Sequence, residues 1–342
     1  MGRKYFGKTK DGRDVEQLEL RNKNGVVIKC INYGCRVTNI LLPSALGQAD
    51  IVLGFDDIES YEDDKTSQGA FIGRYGNRIK DAKFSLSGHD YKLLQNDGGN
   101  YLHGTLSKRL FTVSSASDSE VVFKAVSPAG EEGFPGELKL TVTYSLDDEN
   151  KFTMDYTAVT DADTHINLTN HTYFDLSLGS DETIEKHLLR IESDRFLEVT
   201  EDLIPTGKII DAAGTPFDFT HSKAIGRDIT QDDVNLKIGR GYDHCFLLKN
   251  GGGGELTLAA EVSSPSGGRS IKIFTTQPAI QLYTGNFLDG KPKGKGRIFT
   301  RRSAFCLETQ HYPDTPHHPK FPSTLLKSGE KFHETTVFQF GF

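Results

Sequence analysis

Six short segments crowd polar and ring-bearing residues together where a regular pattern would space them apart: 73–78, 102–104, 167–174, 241–244, 276–286 and 306–310. Within the last, Glu308 follows the apolar run Ala304-Phe305-Cys306-Leu307, which reads as a buried strand. A carboxylate ending such a run is either solvated at the strand end or partly desolvated, with its pKa raised towards that of a useful base. His103 and His171 each sit in one of the polar segments. An unperturbed histidine titrates near pH ~6.5, which suits proton transfer at neutral pH, while the competing role is a hydrogen-bonded structural ring. Asn77 and Arg78 offer a fork of donors to a hydroxylated ligand, or else a salt bridge between strand ends. Asp243 with Glu308 is a pair of carboxylates of the kind that cleaves glycosides when separated by ~5–9.5 Å.

Other chemistries lack their signatures. No Gly-x-Ser-x-Gly elbow occurs, which argues against a serine hydrolase. His311, His317 and His318 flank Pro313, Pro316 and Pro319, a spacing without the i, i+4 geometry of helical metal ligands, and no metal is expected. The run 251–254, four glycines, lacks the lysine and the strand-to-helix setting of a phosphate loop and reads as a flexible hairpin connection. Cys30, Cys35, Cys245 and Cys306 are too scattered for a disulfide framework or a metal knuckle and read as reduced thiols of a cytoplasmic protein. Two overlapping glycosylation sequons, at Asn167 and Asn170, are expected to go unused, because no apolar signal core follows Met1.

The elements that must hold these residues follow a period of two. Leu138, Leu140, Val142 and Tyr144 alternate with polar residues, a turn spans Asp147 to Asn150, and Phe152, Met154, Tyr156 and Ala158 resume the pattern, which predicts a hairpin over 138–159. A second hairpin is expected for 84–86 and 91–93 turning over 87–90, and a third for 256–262 and 270–274 around Gly267-Gly268. Helical periodicity is almost absent. Short strands and 35 glycines point to an all-β sandwich or barrel, with 22 Phe and 12 Tyr to fill its core. No linker, charge block or repeat divides the chain, so residues 1–342 read as one domain, and a monomer is the default expectation.

The 40 Lys+Arg against 47 Asp+Glu give a net charge of −7, which disfavours a nucleic-acid partner. The basic stretch from Lys291 to Arg302 reads as a solvated turn. No window approaches the ~18 apolar residues of a membrane-spanning helix.

Taken together, the segments resemble those of the galactose mutarotase, or aldose 1-epimerase, family. The matching pieces are residues 73–79, 102–104, 130–136 (Gly-Glu-Glu-Gly-Phe-Pro-Gly), 167–174, 242–244, 281–286 and 307–310, in the family's order and across nearly the whole chain. The resemblance implies a single large β-sandwich with a sugar cleft and interconversion of the α and β anomers of an aldose, galactose and probably glucose, without a cofactor. It implies Glu308 as catalytic base and His171 as acid, with His103 beside them, and Asn77, Arg78, Asp243 and Gln281 holding sugar hydroxyls. The chain departs from the family's usual pattern over Thr105–Phe111 and at Gln68, where an aromatic is usual, and these positions are expected to bear on sugar preference. A non-catalytic sugar sensor on the same fold is the alternative. A hexose 6-phosphate epimerase is another, for which Arg74 and the basic stretch are the available phosphate ligands.

Overall fold

The computed structural model describes residues 2–266 and 268–342; Gly267, half of the pair expected to turn the third hairpin, lies outside the described residues. The predicted alternation becomes strand Leu138–Leu146, paired antiparallel with Lys151–Thr160 from Leu138↔Thr160 to Leu146↔Phe152. Its apolar positions are buried and the residues between them are half-buried or exposed, as a sheet covered on one face requires.

These two strands stand inside a nine-stranded antiparallel sheet that continues through Lys331–Gly341, Ser270–Thr275 and Thr257–Ser263. A five-stranded sheet forms from Gly2–Lys8 to Gly47–Asp50 in chain order. A second five-stranded sheet runs Pro205–Asp211, Arg195–Val199, Asp243–Leu247, Ala279–Tyr283, Cys306–Gln310. One apolar cluster joins all three sheets, with Ile28 and Val37 from the first, Val142 and Met154 from the nine-stranded sheet, and Phe246, Leu282 and Leu307 from the last. The result is a large multi-stranded antiparallel sandwich.

The last sheet carries the chemistry because both of its faces are covered. Phe246, Ile280, Leu282 and Leu307 point into the core. The alternate positions project from the opposite face in rows set by register, among them Cys245↔Gln281↔Glu308 and Asp243↔Tyr283↔Cys306. Every residue of Cys306–Gln310 is therefore buried.

Two expectations are revised. Lys83–Leu86 pairs with His89–Lys92, so the second hairpin turns on Ser87-Gly88 alone. Their φ angles of 52° and 78° give the type I′ turn that matches strand twist, which brings His89 and Asp90 into the strand. The four-glycine run does not close a hairpin. It carries the chain from Asp243–Leu247 in one sheet to Thr257–Ser263 in another. Asn167 and Asn170 are both buried, so neither sequon is accessible whatever the compartment. No helix among the described residues is long and apolar enough to cross a membrane.

His244 shows what the core asks of a polar ring. Its Nδ1 accepts the Asp243 N–H at 3.0 Å, its Nε2 has no partner, and its edge packs on Phe217 at 4.7 Å between centroids. Burial lowers its pKa from 6.5 to about 3. A ring depressed in this way contributes stability present above the unfolded value and lost as pH falls towards the folded one. The stability gap between the wild type and His244→Asn, measured by urea unfolding, should therefore narrow as pH falls from 6.5 towards 3. A gap independent of pH would show that His244 does not stay neutral in the fold.

Candidate active site

Glu308 sits in the middle of strand Cys306–Gln310 with only 3% of its surface exposed. Its Oε2 is buried without a hydrogen-bond partner, and its Oε1 faces His171 Nε2 at 3.8 Å, beyond bonding distance. Burial holds its pKa well above the ordinary 4.5; the Asp243 carboxylate adds to the rise and Arg78 opposes it.

His171 arrives from elsewhere in the chain. Strand Thr169–His171 pairs with Ala70–Ile72, and just beyond it Phe174 and Phe305 exchange backbone hydrogen bonds of 2.7 and 3.0 Å. That bridge lays the segment antiparallel to the start of the Glu308 strand and sets the imidazole beside it. Tyr173 stacks on the ring at 4.9 Å and Cys306 Sγ lies 3.3 Å from Nδ1. Burial lowers the His171 pKa to about 4.

His103 follows Tyr101–Leu102, which pairs with Arg78–Ile79. Asn77 and His103 clasp each other: the Asn77 N–H donates to His103 Nδ1 at 3.0 Å, and the His103 N–H donates to the Asn77 carbonyl at 3.2 Å. Both residues adopt left-handed backbone, with φ of 65° and 62°. Because Nδ1 accepts, the neutral ring carries its proton on Nε2. The ring meets His171 edge to face at 5.4 Å, and burial holds its pKa well below 6.5. Gly104 must be glycine here, since a Cβ would stand 2.3 Å from the Tyr101 hydroxyl and 2.7 Å from the Gly73 carbonyl.

Gln281 Nε2 donates to Asp243 Oδ1 at 2.7 Å, and Arg78 Nε donates to Asp97 Oδ2 at 2.7 Å. Asn77, Arg78, His103, His171, Asp243 and Glu308 all line one cleft of about 1050 Å³. Gln281 is not among its lining residues and acts on the cleft through Asp243, while its Oε1 is buried without a partner. One ligand atom each of His103, His171 and Glu308 lie within 4.8 Å of one another, the one such trio among the described residues. That separation fits chelation of an ion as well as proton transfer among the three groups.

Sequence reasoning did not assign Tyr173, Tyr283, Cys306 or Asp97. The first three lie in the singled-out segments, and period-two spacing from Glu308 marks Cys306. Nothing in the sequence links Asp97 to Arg78. His311, His317 and His318 do not gather into a metal set: His311 faces Glu334 and the other two face Asp314.

Arg74 is corrected as a phosphate ligand. It is fully buried, donating to the carbonyls of Ser127, Pro135 and Gly136. The basic stretch is not simply a solvated turn either. Lys295 pairs with Asp50, Arg297 with Asp175 and Arg302 with Glu185, while Lys291 and Lys293 stand at the cleft. Neither Gln68 nor the 105–111 segment lines the cleft; Leu106 and Phe111 belong to the core. Any influence of these departures on sugar preference is therefore indirect.

The family model described as aldose 1-epimerase matches residues 16–339. The chain belongs to the aldose 1-epimerase family. It is 43% identical to a galactose mutarotase of Bos taurus over 95% of this chain and 94% of the relative. The solved structure of an aldose epimerase homologue from C. elegans matches at TM-score 0.86 and 30% identity, covering 95% of this chain and 98% of that one. A galactose 1-epimerase from Lactobacillus acidophilus NCFM matches at TM-score 0.87 and 27% identity, covering 99% and 98%. The chain is thus an isomerase of the aldose 1-epimerase type, a small-sugar enzyme.

The opposing influences on Glu308 carry a sign. Asp243 raises its pKa and Arg78 lowers it. Asp243→Asn should move the Glu308 titration, followed by carboxyl carbon NMR, to lower pH, and Arg78→Ala should move it to higher pH. Shifts in the same direction would contradict the electrostatic assignment.

Proposed function

We propose that this chain interconverts the α and β anomers of D-galactose, and of D-glucose, with Glu308 and His171 as the proton-transferring pair. The carrying observation is a buried carboxylate without a hydrogen-bond partner, facing an imidazole nitrogen 3.8 Å away. Ring opening needs one group to take the proton from the C1 hydroxyl and another to protonate the departing ring oxygen. Glu308 takes the first and His171 Nε2 gives the second, leaving the open-chain aldehyde. Rotation about C1–C2 and reclosure, with the roles reversed, deliver the other anomer.

Reversibility depends on the proton's energy being similar on the two groups. In water, ordinary values of 4.5 and 6.5 favour carboxylate with imidazolium. Burial raises the first and lowers the second, so the charged pair loses the advantage it has in water. His103, whose Nδ1 is already occupied, offers a fixed Nε2–H to a sugar oxygen. Asn77, Arg78 and Asp243 hold hydroxyls, with Gln281 orienting Asp243.

The rim of the cleft favours a neutral sugar over a hexose phosphate. Its cations Lys65, Arg240, Lys291 and Lys293 are interspersed with Asp63, Glu201, Asp202 and Asp289, so no cationic pocket gathers for a phosphate. Four free, buried cysteines support a reducing, cytoplasmic setting. The apolar cluster that joins all three sheets supports a single domain, read as a monomer.

Polarimetry of freshly dissolved α-D-galactose and α-D-glucose tests the proposal. Wild type should accelerate the approach to equilibrium for both sugars, and Glu308→Gln should lose about 10²–10⁴-fold in kcat while still binding sugar in calorimetry. Sugar binding by wild type without acceleration would make the protein a sensor. Acceleration with a 6-phosphate alone would favour the phosphate-specific reading.

A further inference from the structure

Cys306 takes no part in the proton transfers described above, yet it touches the ring that does. Its Sγ lies 3.3 Å from His171 Nδ1, and the side chain is fully buried. It stands two residues before Glu308 on the same face of the strand, opposite Tyr283 in register. The His171 ring is therefore held on three sides. Tyr173 stacks on one face at 4.9 Å, Tyr283 meets it edge-on at 6.0 Å, and the thiol caps Nδ1. Nε2 is left to face Glu308 at 3.8 Å.

For a ring that gives up and recovers a proton at Nε2, Nδ1 must keep its own proton in both states. That requires an acceptor at Nδ1. A carboxylate there would orient the ring but also stabilise the imidazolium and weaken it as an acid. A thiol sulfur is a weak, uncharged acceptor. It fixes the ring without adding charge, so the imidazolium remains a strong acid towards the sugar ring oxygen. Burial, with the neighbouring carboxyl groups of Glu308 and Asp243 adding to it, keeps the thiol itself protonated.

We infer that Cys306 is a positioning residue: its sulfur accepts the His171 Nδ1–H and so makes Nε2 the nitrogen that exchanges protons with substrate. The two histidines of the cleft then hold opposite tautomers, His103 with its proton on Nε2 and His171, when neutral, with its proton on Nδ1. The role in turnover rests on the acid–base reading of His171 given above, whereas the tautomer does not.

Nitrogen-15 NMR of the histidine rings in the full-length protein at neutral pH, combined with anomerisation kinetics, tests this. In wild type the neutral His171 ring should show a protonated Nδ1 and a bare Nε2. Cys306→Ala should shift the ring towards the other tautomer and lower kcat about tenfold, with KM changed less than about threefold. Cys306→Ser, which restores an acceptor, should recover both the tautomer and most of kcat. A wild-type ring protonated on Nε2 overturns the inference, as does an alanine variant with unchanged tautomer and kcat, or a serine variant as impaired as alanine. If wild type does not accelerate anomerisation at all, the proposed function fails, and the NMR spectrum alone decides the Cys306 contact.

Discussion

A carboxylate buried without a hydrogen-bond partner is an expensive thing to place inside a β-sheet, at several kcal/mol even after relaxation. Glu308 is such a group, and much of the surrounding architecture serves to keep it there. The strand that carries it cannot slip, because a one-residue shift would drive Glu308 into the apolar core and Leu307 into the cleft. Register with Ala279–Tyr283 and, through it, with Asp243–Leu247 fixes the whole polar row at once. The cost is offset by the extensive core on the other face of the same sheet, where Phe246, Ile280, Leu282 and Leu307 are fully packed.

The groups that answer Glu308 come from segments far away in sequence, held by backbone contacts as well as by side chains. The Phe174–Phe305 bridge delivers His171, and the Asn77–His103 clasp delivers the second imidazole together with Arg78. Left-handed backbone at Asn77 and His103 is a local strain, of the kind that collects at functional sites when the surrounding structure over-determines it. Here the over-determination is visible. The short ladder between Arg78–Ile79 and Tyr101–Leu102 pins both ends of the clasp, and the Glu132 carboxylate grips Tyr101 and Thr105 on either side of His103.

Charge outside the cleft is mostly internally satisfied. Arg36 and Asp64 form a fully buried pair beside the cleft. Arg74 spends its donors on carbonyls, and most of the basic stretch near the C-terminal end of the chain is tied to individual carboxylates. This matters for function as well as for folding. Cations already committed to internal partners are not available to hold a phosphate.

Much of this was legible in the sequence. Period-two alternation gave the paired strands over 138–159, and the run before Glu308 gave a buried strand, because side-chain alternation is a local property of extended chain. The dense polar segments gave Glu308, His171, His103, Asn77, Arg78 and Asp243, which the fold gathers into one cleft. What local pattern could not supply was any relation between distant segments. The placement of Gln281 behind Asp243, the burial of Arg74 and the crossing of the four-glycine run between sheets are of this kind. So are the pairing of Arg78 with Asp97 and the contact of Cys306 with His171. The sequence by itself determined which chemical groups were present and that Glu308 lay on a buried strand. Only the tertiary structure decided which of them lose water and which nitrogen of each histidine faces the cleft, because desolvation and hydrogen-bond partnership depend on neighbours that the linear chain does not name.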